Sequence, residues 1–301
     1  MSPERRATWW LVSMCAVWGS TFFSVKLGVE GMAAAGLDPR AAPAAFVFLR
    51  FALAAALFPL CYPKVLRELG RGTLAGGAAL AVPFSAGFLL QTGGLGATSA
   101  TVSAFLTNLT VVLTPLLGRL FFRETLVPAH VAGAAVAFAG VWVLTDPRGG
   151  GFGPGEQLTA LCALAFAVQI QMTPGITRRH PPEGVTFVMF VLAAAFSGAL
   201  LAAMGVGPRA LAAAVRGPHV AWTLFYTATV CSILALVIMN RWQREVTPTR
   251  AAVIYSLEPV FAAAFAAALT GERLEARHWA GGAIILAGNA VCEVFPRMRR
   301  G

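Results

Sequence analysis

The chain has 301 residues, of which 57% are hydrophobic and 12% charged, with a formal net charge of +10. A soluble domain carries about a quarter charged residues, so this composition excludes a large soluble apolar core and points to a chain that lives in lipid. The basic residues are scattered over many short loops and form no single patch, which argues against nucleic acid as a partner and leaves the bilayer and a small molecule.

Ten apolar segments follow one another at 9–29, 43–62, 73–92, 98–121, 128–145, 157–176, 185–204, 220–240, 250–270 and 278–295. Each is close to the roughly 20 residues that cross a hydrocarbon core. Lipid offers the backbone no hydrogen-bonding partner, so each is predicted to be a helix. The expected fold class is an all-α integral membrane protein with ten transmembrane helices. The third and fourth segments are the least separable, because the link Gly93-Gly94-Leu95-Gly96 is short and uncharged.

With the N-terminus placed inside, fifteen Lys and Arg fall on inner loops and six on outer ones; Lys26 and Arg50 lie within spans. This bias predicts both termini in the cytoplasm of a bacterial-type inner membrane. Arg5 and Arg6 precede an apolar run, as in a signal sequence. The run extends to full span length, however, and Met14 stands before Cys15 where a lipoprotein site needs a small residue, so the segment is expected to stay as a helix. Cys15, Cys61, Cys162, Cys231 and Cys292 are isolated and form no CxxC pair, so neither a disulfide framework nor a zinc site is expected, and no cofactor or metal is implied.

One pattern occurs twice. Glu124, Leu126, His130, Gly133 and Gly140 recur as Glu272, Leu274, His278, Gly281 and Gly288, each pair separated by 148 residues. Trp18 falls on Phe166 and Ser99 on Thr247 with the same offset, while the second and seventh segments fit an offset near 141. Five spans per copy make the copies opposite in orientation. The expected division is 1–147 and 148–301, two inverted five-helix repeats. Inverted halves that build one midplane site mark a secondary transporter.

Charged groups inside spans are costly and usually turn toward a cavity or a partner. Glu258 lies ~12 Å along the ninth helix, and Pro259 beside it removes a backbone donor and can open a kink. It reads either as a proton- or cation-sensitive coupling group or as a structural carboxyl. Arg50 lies ~10 Å into the second helix and either binds a substrate carboxylate, snorkels outward, or ties two helices together. Its depth does not bring it to Glu258. Lys26 is expected to snorkel or to pair with Glu30 four residues on. Glu124 and Glu272 read as interfacial charges at helix ends.

Gln91, Asn108, Gln169, Gln171 and Asn240 are polar candidates for a cavity lining, with Trp18, Phe22 and Tyr255 as aromatic walls. Gln169 and Gln171 are about 200° apart on a helix, so at least one must bond a neighbouring helix. Gly133, Ala137, Gly140, Gly281 and Gly288 let helices approach closely. Gly72 and Gly76 form one GxxxG, a weak signal for a homodimer. His130 and His278 read as interface residues, having no acidic or cysteine partners for a metal.

Several of these residues sit in recognisable runs. The first helix reads Ala16-Val17-Trp18-Gly19-Ser20-Thr21-Phe22 and the second Phe48-Leu49-Arg50-Phe51. Further on come Leu90-Gln91-Thr92, Ser103-Ala104-Phe105-Leu106-Thr107, Pro115-Leu116-Leu117 and Arg123-Glu124. The second half has Thr249-Arg250-Ala251-Ala252, Leu257-Glu258-Pro259-Val260, Gly271-Glu272-Arg273-Leu274 and Trp279-Ala280-Gly281-Gly282. Over nearly the whole chain these runs resemble the ten-helix EamA-type members of the drug/metabolite transporter superfamily. The resemblance implies export or exchange of small metabolites, amino acids or drugs through a central cavity. The halves have diverged: Val111 stands opposite Pro259, and Phe166-Ala167 replaces a Trp-Gly pair.

The expected function is a multipass carrier with alternating access. Few buried charges suggest a small amphipathic or zwitterionic substrate. The alternative is a membrane receptor or assembly subunit without transport. An enzyme is not expected. The two aspartates, Asp38 and Asp146, lie in loops, and the four histidines lie at span ends or loops. No phosphate loop or metal motif appears.

Overall fold

The apolar segments fold as helices. The computed structural model describes residues 3–122, 127–145, 152–270 and 275–298, and no strand occurs among them. In chain order the helices are α1 Pro3–Ala34, α2 Ala42–Cys61, α3 Arg71–Leu95, α4 Ala100–Thr107, α5 Thr110–Phe122, α6 Pro128–Thr145 and α7 Pro154–Thr177. There follow α8 Pro182–Ala203, α9 Pro208–Ala214, α10 Val220–Ala228, α11 Ala235–Trp242, α12 Pro248–Tyr255, α13 Glu258–Thr270 and α14 Ala276–Met298. Among the described residues seven helical stretches are long and apolar enough to cross a membrane, and Val131–Leu144 and Glu258–Ala268 are shorter apolar helices. The ten predicted segments are thus all helical, but not all are full-length spans.

Several elements depart from expectation. α3 runs on through Gly93 and Gly94 to Leu95. A side chain at Gly94 would meet Gly155 O at 2.8 Å, so the glycine lets the start of α7 lie directly on α3. The eighth span is two helices, α10 and α11, joined by a π turn at Thr229–Leu234 in which Ser232 Oγ donates to Thr227 O (2.8 Å). The fourth and ninth spans are both broken, after Thr107 and after Tyr255. These breaks lie 148 residues apart. The first occurs with Val111 where the second has Pro259, so proline is not their common cause. α4 opens at Ser99, whose Oγ accepts from Val102 N (3.1 Å), and α12 opens at Thr247, whose Oγ1 accepts from Arg250 N (3.3 Å). The repeat pair Ser99 and Thr247 is therefore a pair of helix caps.

α6 and α14 pack backbone to backbone. A Cβ on Gly288 would lie 2.7 Å from Gly133 O and 2.6 Å from Ala137 N, and one on Gly281 would lie 2.6 Å from Leu144 N. One on Gly140 would lie 2.8 Å from Gly281 O. The pairing descends one helix as it ascends the other, so the two run antiparallel. Each glycine of the repeat meets the other copy's partner: Gly133 with Gly288, Gly140 with Gly281. In lipid there is little hydrophobic gain from helix contact, so this close van der Waals fit is what joins them. Gly72 and Gly76 are used inside the chain, seating His180 and Ile176 of the α7 end.

Contacts define two faces. On one, Trp10 stacks on Trp242 (6.3 Å between centroids) and Arg250 pairs with Glu4, gathering the start of α1, the end of α11 and the start of α12. On the other, Lys26 Nζ donates to Thr98 O (2.8 Å), and Gly31 abuts Pro218 at the approach to α10. Lys26 thus ties α1 to the α3–α4 link rather than pairing with Glu30. Between the faces lies an aromatic cluster of Phe51, Phe58, Phe84, Phe88 and Phe190, with adjacent centroids 4.7 to 5.7 Å apart.

Candidate functional site: a cavity shared by the two halves

Where the broken helices meet α1, α2, α3, α7 and α11, about 610 Å³, counted together with the open space at its mouth, is left free of protein atoms. Fifteen residues line it, and fourteen of them form seven pairs separated by 148 residues. The pairs are Trp18 with Phe166, Thr21 with Gln169, Phe22 with Ile170, Phe88 with Leu236, Gln91 with Met239, Thr107 with Tyr255, and Thr110 with Glu258. Equivalent positions of two antiparallel copies thus face one another across a single space. Arg50 is the one lining residue without a counterpart in the wall.

Arg50 is 1% exposed. Its Nε donates to Ser232 Oγ (2.8 Å) and its Nη2 to Cys231 O (3.5 Å), both in the π turn. Its guanidinium lies 4.9 Å from the Phe88 ring centre and 5.2 Å from that of Phe51, which gives the cation some compensation for lost water. Trp18 Nε1 donates to the same Cys231 O (3.1 Å). Arg50 is therefore held in the protein and does not snorkel. Among the described residues no carboxylate pairs with it, and its Nη1 makes no hydrogen bond. A guanidinium has five N–H donors, and a buried cation is costly unless an anion meets it.

Glu258 is the first residue of α13. The positive end of the helix dipole favours a carboxylate there. Among the described residues no hydrogen bond or ion pair holds it. Arg50 and Glu258 face one cavity after all, without forming an ion pair; depth along a helix says nothing about the direction in which that helix tilts and turns.

Of the other expected lining residues, Trp18, Phe22, Gln91, Gln169 and Tyr255 are in the wall. Gln91 Nε2 donates to Thr107 Oγ1 (3.3 Å), and the Tyr255 ring meets Trp18 edge-on at 5.9 Å. Gln171, on the other side of α7, donates to Thr114 O (2.7 Å), leaving Gln169 to the cavity. Asn108 and Asn240 are not in the wall. Asn108 Nδ2 donates to Ser256 O (3.4 Å), and Asn240 Nδ2 donates to Thr186 Oγ1 (2.7 Å) on α8; each joins helices. His278 Nδ1 accepts from Glu275 N (3.1 Å) at the start of α14. Glu124 and Glu272 lie outside the described residues, as does the side chain of His130.

Sequence reasoning missed Thr21, Phe88, Thr107, Thr110, Phe166, Ile170, Leu236 and Met239 as wall residues. The offset of 148 would have found most of them: applied to Gln169, Tyr255, Glu258, Phe22 and Gln91 it lands on Thr21, Thr107, Thr110, Ile170 and Met239.

A multi-pass helical protein whose two antiparallel copies wall one cavity has the architecture of a membrane transporter. The chain belongs to the EamA-like transporter family, whose profile matches it twice, over residues 5–146 and 153–292. It is 29% identical over 280 residues to an uncharacterized transporter of Archaeoglobus fulgidus, a match covering 92% of this chain and 82% of that one. A protein of known crystal structure, 20% identical, superposes with a TM-score of 0.65 over 96% of this chain and 99% of its own, a likeness of fold.

Proposed function

We propose that the protein is a secondary carrier that exports a small metabolite, amino acid or drug-like molecule across the cytoplasmic membrane. The halves, 1–147 and 148–301, rock about the shared cavity to expose it first to one side and then to the other. Both termini lie in the cytoplasm, as the Lys and Arg bias argues. The observation that carries this reading is the wall itself: fourteen of fifteen lining residues come in repeat-related pairs, so both halves contribute equally to one site.

Trp18, Phe22, Phe88, Phe166 and Tyr255 offer apolar and aromatic surface. Arg50 is the group that receives a carboxylate of the substrate, because among the described residues its Nη1 and the remaining Nη2 donor meet no acceptor. Glu258 is the group through which a proton or cation couples to transport, being a carboxylate in the cavity wall with no partner among the described residues.

The test is a comparison of metabolites in cells and medium for wild type, empty vector, Arg50→Ala and Glu258→Gln. A compound enriched in the medium only with wild type establishes export and names the substrate class. Identical profiles for wild type and empty vector under rich and stressed conditions reject export of common metabolites.

A further inference from the structure

We propose that Gln243 is a positioning residue that closes the cavity on the face carrying the N-terminus, and that this closure biases the resting carrier toward being shut on that face. Gln243 is fully buried, at the start of the short 3₁₀ turn that follows α11. Its Nε2 donates to Ile170 O (2.8 Å) on α7, and its Oε1 accepts from Tyr255 Oη (3.0 Å) at the end of α12. Ile170 and Tyr255 are wall residues of the cavity. The amide therefore forms the cavity floor and joins three helices from two sides of it.

Directly beyond the floor, the next residue completes the seal. Arg178 donates through Nε (3.1 Å) and Nη2 (2.8 Å) to Arg244 O, while Arg244 Nη1 donates back to Thr177 O (3.3 Å). Each arginine thus binds a carbonyl at the other helix's C-terminal end, where unpaired carbonyls and the negative pole of the dipole attract a cation. For the cavity to open on this face, the Gln243 bridge and this exchange must both part.

The opposite face is tied differently: Lys26 Nζ donates to Thr98 O (2.8 Å), and Thr98 Oγ1 donates to Glu156 Oε1 (2.5 Å) at the start of α7. The repeat counterparts of Gln243, Arg244 and Arg178 are Leu95, Gly96 and Glu30, 148 residues earlier. Leu95 and Gly96 carry no polar side chain, and an ionised Glu30 cannot donate to a carbonyl. In an inverted repeat these positions would close the other mouth. The two mouths are therefore closed by different groups, a buried neutral amide with two exchanged arginines at the N-terminal face and Lys26 on Thr98 at the other, so loss of the Gln243 bridge shifts the balance of populations at the N-terminal face alone.

This inference rests on the alternating-access reading, but its test needs no substrate. Thr110→Cys, in a chain whose five cysteines are replaced by alanine, places one thiol in the cavity wall. Its rate of reaction with a membrane-impermeant methanethiosulfonate is read from each face, in membrane vesicles of both orientations. From the N-terminal face, Gln243→Leu raises the rate about tenfold, equivalent to about 1.4 kcal/mol and in line with the loss of one or two buried hydrogen bonds, and Arg178→Ala, whose bonds are exposed, raises it about threefold. From the opposite face the rate does not rise. Arg241→Ala removes an exposed pair with Glu183 (3.2 Å) on the same N-terminal face and leaves both rates unchanged. Where Gln243→Leu does not accumulate, Tyr255→Phe removes one oxygen from the same bridge and gives the same one-sided rise. Unchanged labelling in both bridge variants, an equal rise at both faces, or an equal rise with Arg241→Ala overturns the proposal. A one-sided rise in a chain that exports nothing would leave the closure standing and remove the export reading. Export with unchanged labelling would do the reverse.

Discussion

Asn108 and Ser256 are the same position of the two halves, and the Asn108 amide donates to the Ser256 carbonyl across 3.4 Å. The bond crosses the axis that relates the copies, at the point where the fourth and ninth spans are both broken. A break at this depth frees main-chain groups that lipid cannot satisfy, so protein must. Asn108→Leu removes this donor from the Ser256 carbonyl. The expected loss is about 1–3 kcal/mol, read as a lower melting temperature of the purified protein in detergent. An unchanged melting temperature rejects a structural role for the bond.

The α6–α14 seam makes a sharper demand. Backbone atoms of the partner helix stand 2.6 to 2.8 Å from any Cβ placed at Gly140, Gly281 or Gly288, and backbone cannot rotate away. Gly281→Val is expected to cost about 3 kcal/mol or more and to reduce the folded yield. Gly175→Ala, on α7 with nothing within 4 Å, is expected to be neutral or to stabilise by up to about 1 kcal/mol. Equal yields of the two variants would show that the seam tolerates separation.

Glu258→Gln keeps the shape of the wall and removes its carboxylate. Transport driven by a pH gradient is expected to fall more than about tenfold while substrate binding stays within about twofold, the pattern of a group needed for turnover and not for affinity. Arg50→Lys is expected to raise KM about tenfold, because an ammonium cannot reach Ser232 Oγ and Cys231 O and still present a second donor to a carboxylate. Equal pH dependence of wild type and Glu258→Gln places coupling elsewhere.

Outside the spans, burial first and the nearby Glu183 second push the Glu68 carboxyl above its ordinary pKa, although Gly184 N–H partly offsets this. The folded state therefore binds the Glu68 proton more tightly than the unfolded chain does. Stability from this site is present below the ordinary carboxylate pKa of about 4.3 and is lost as pH rises through the raised value. Glu68→Gln is expected to melt higher than wild type at pH 8, with the difference shrinking on acidification toward pH about 4. A difference independent of pH assigns the effect to packing.

The helices, the repeat and about half of the cavity wall were legible because each has a one-dimensional signature: apolar length, a constant offset, a polar residue inside a span. What was not legible depends on azimuth. In a helix that is apolar all round, nothing in the pattern says which side faces the cavity, so Gln91 in the wall and Asn240, turned from α11 to Thr186 of α8, look alike. Arg50 and Glu258 seemed too far apart in depth to share a site, because rise along a helix fixes height and not direction. The break after Thr107 has no glycine or proline at Asn108-Leu109 to announce it. Only its counterpart, beside Pro259, carried a visible mark.

Because every wall position but Arg50 exists in duplicate, the cavity bears the stamp of a duplicated ancestor whose two copies have since parted in chemistry. One twin can change while the other preserves the shape: Thr110 is a neutral hydroxyl where Glu258 carries a carboxyl, and Gln91 is polar where Met239 is an adaptable thioether. Specificity can therefore drift one wall at a time, with Arg50 as the feature that duplication alone does not explain.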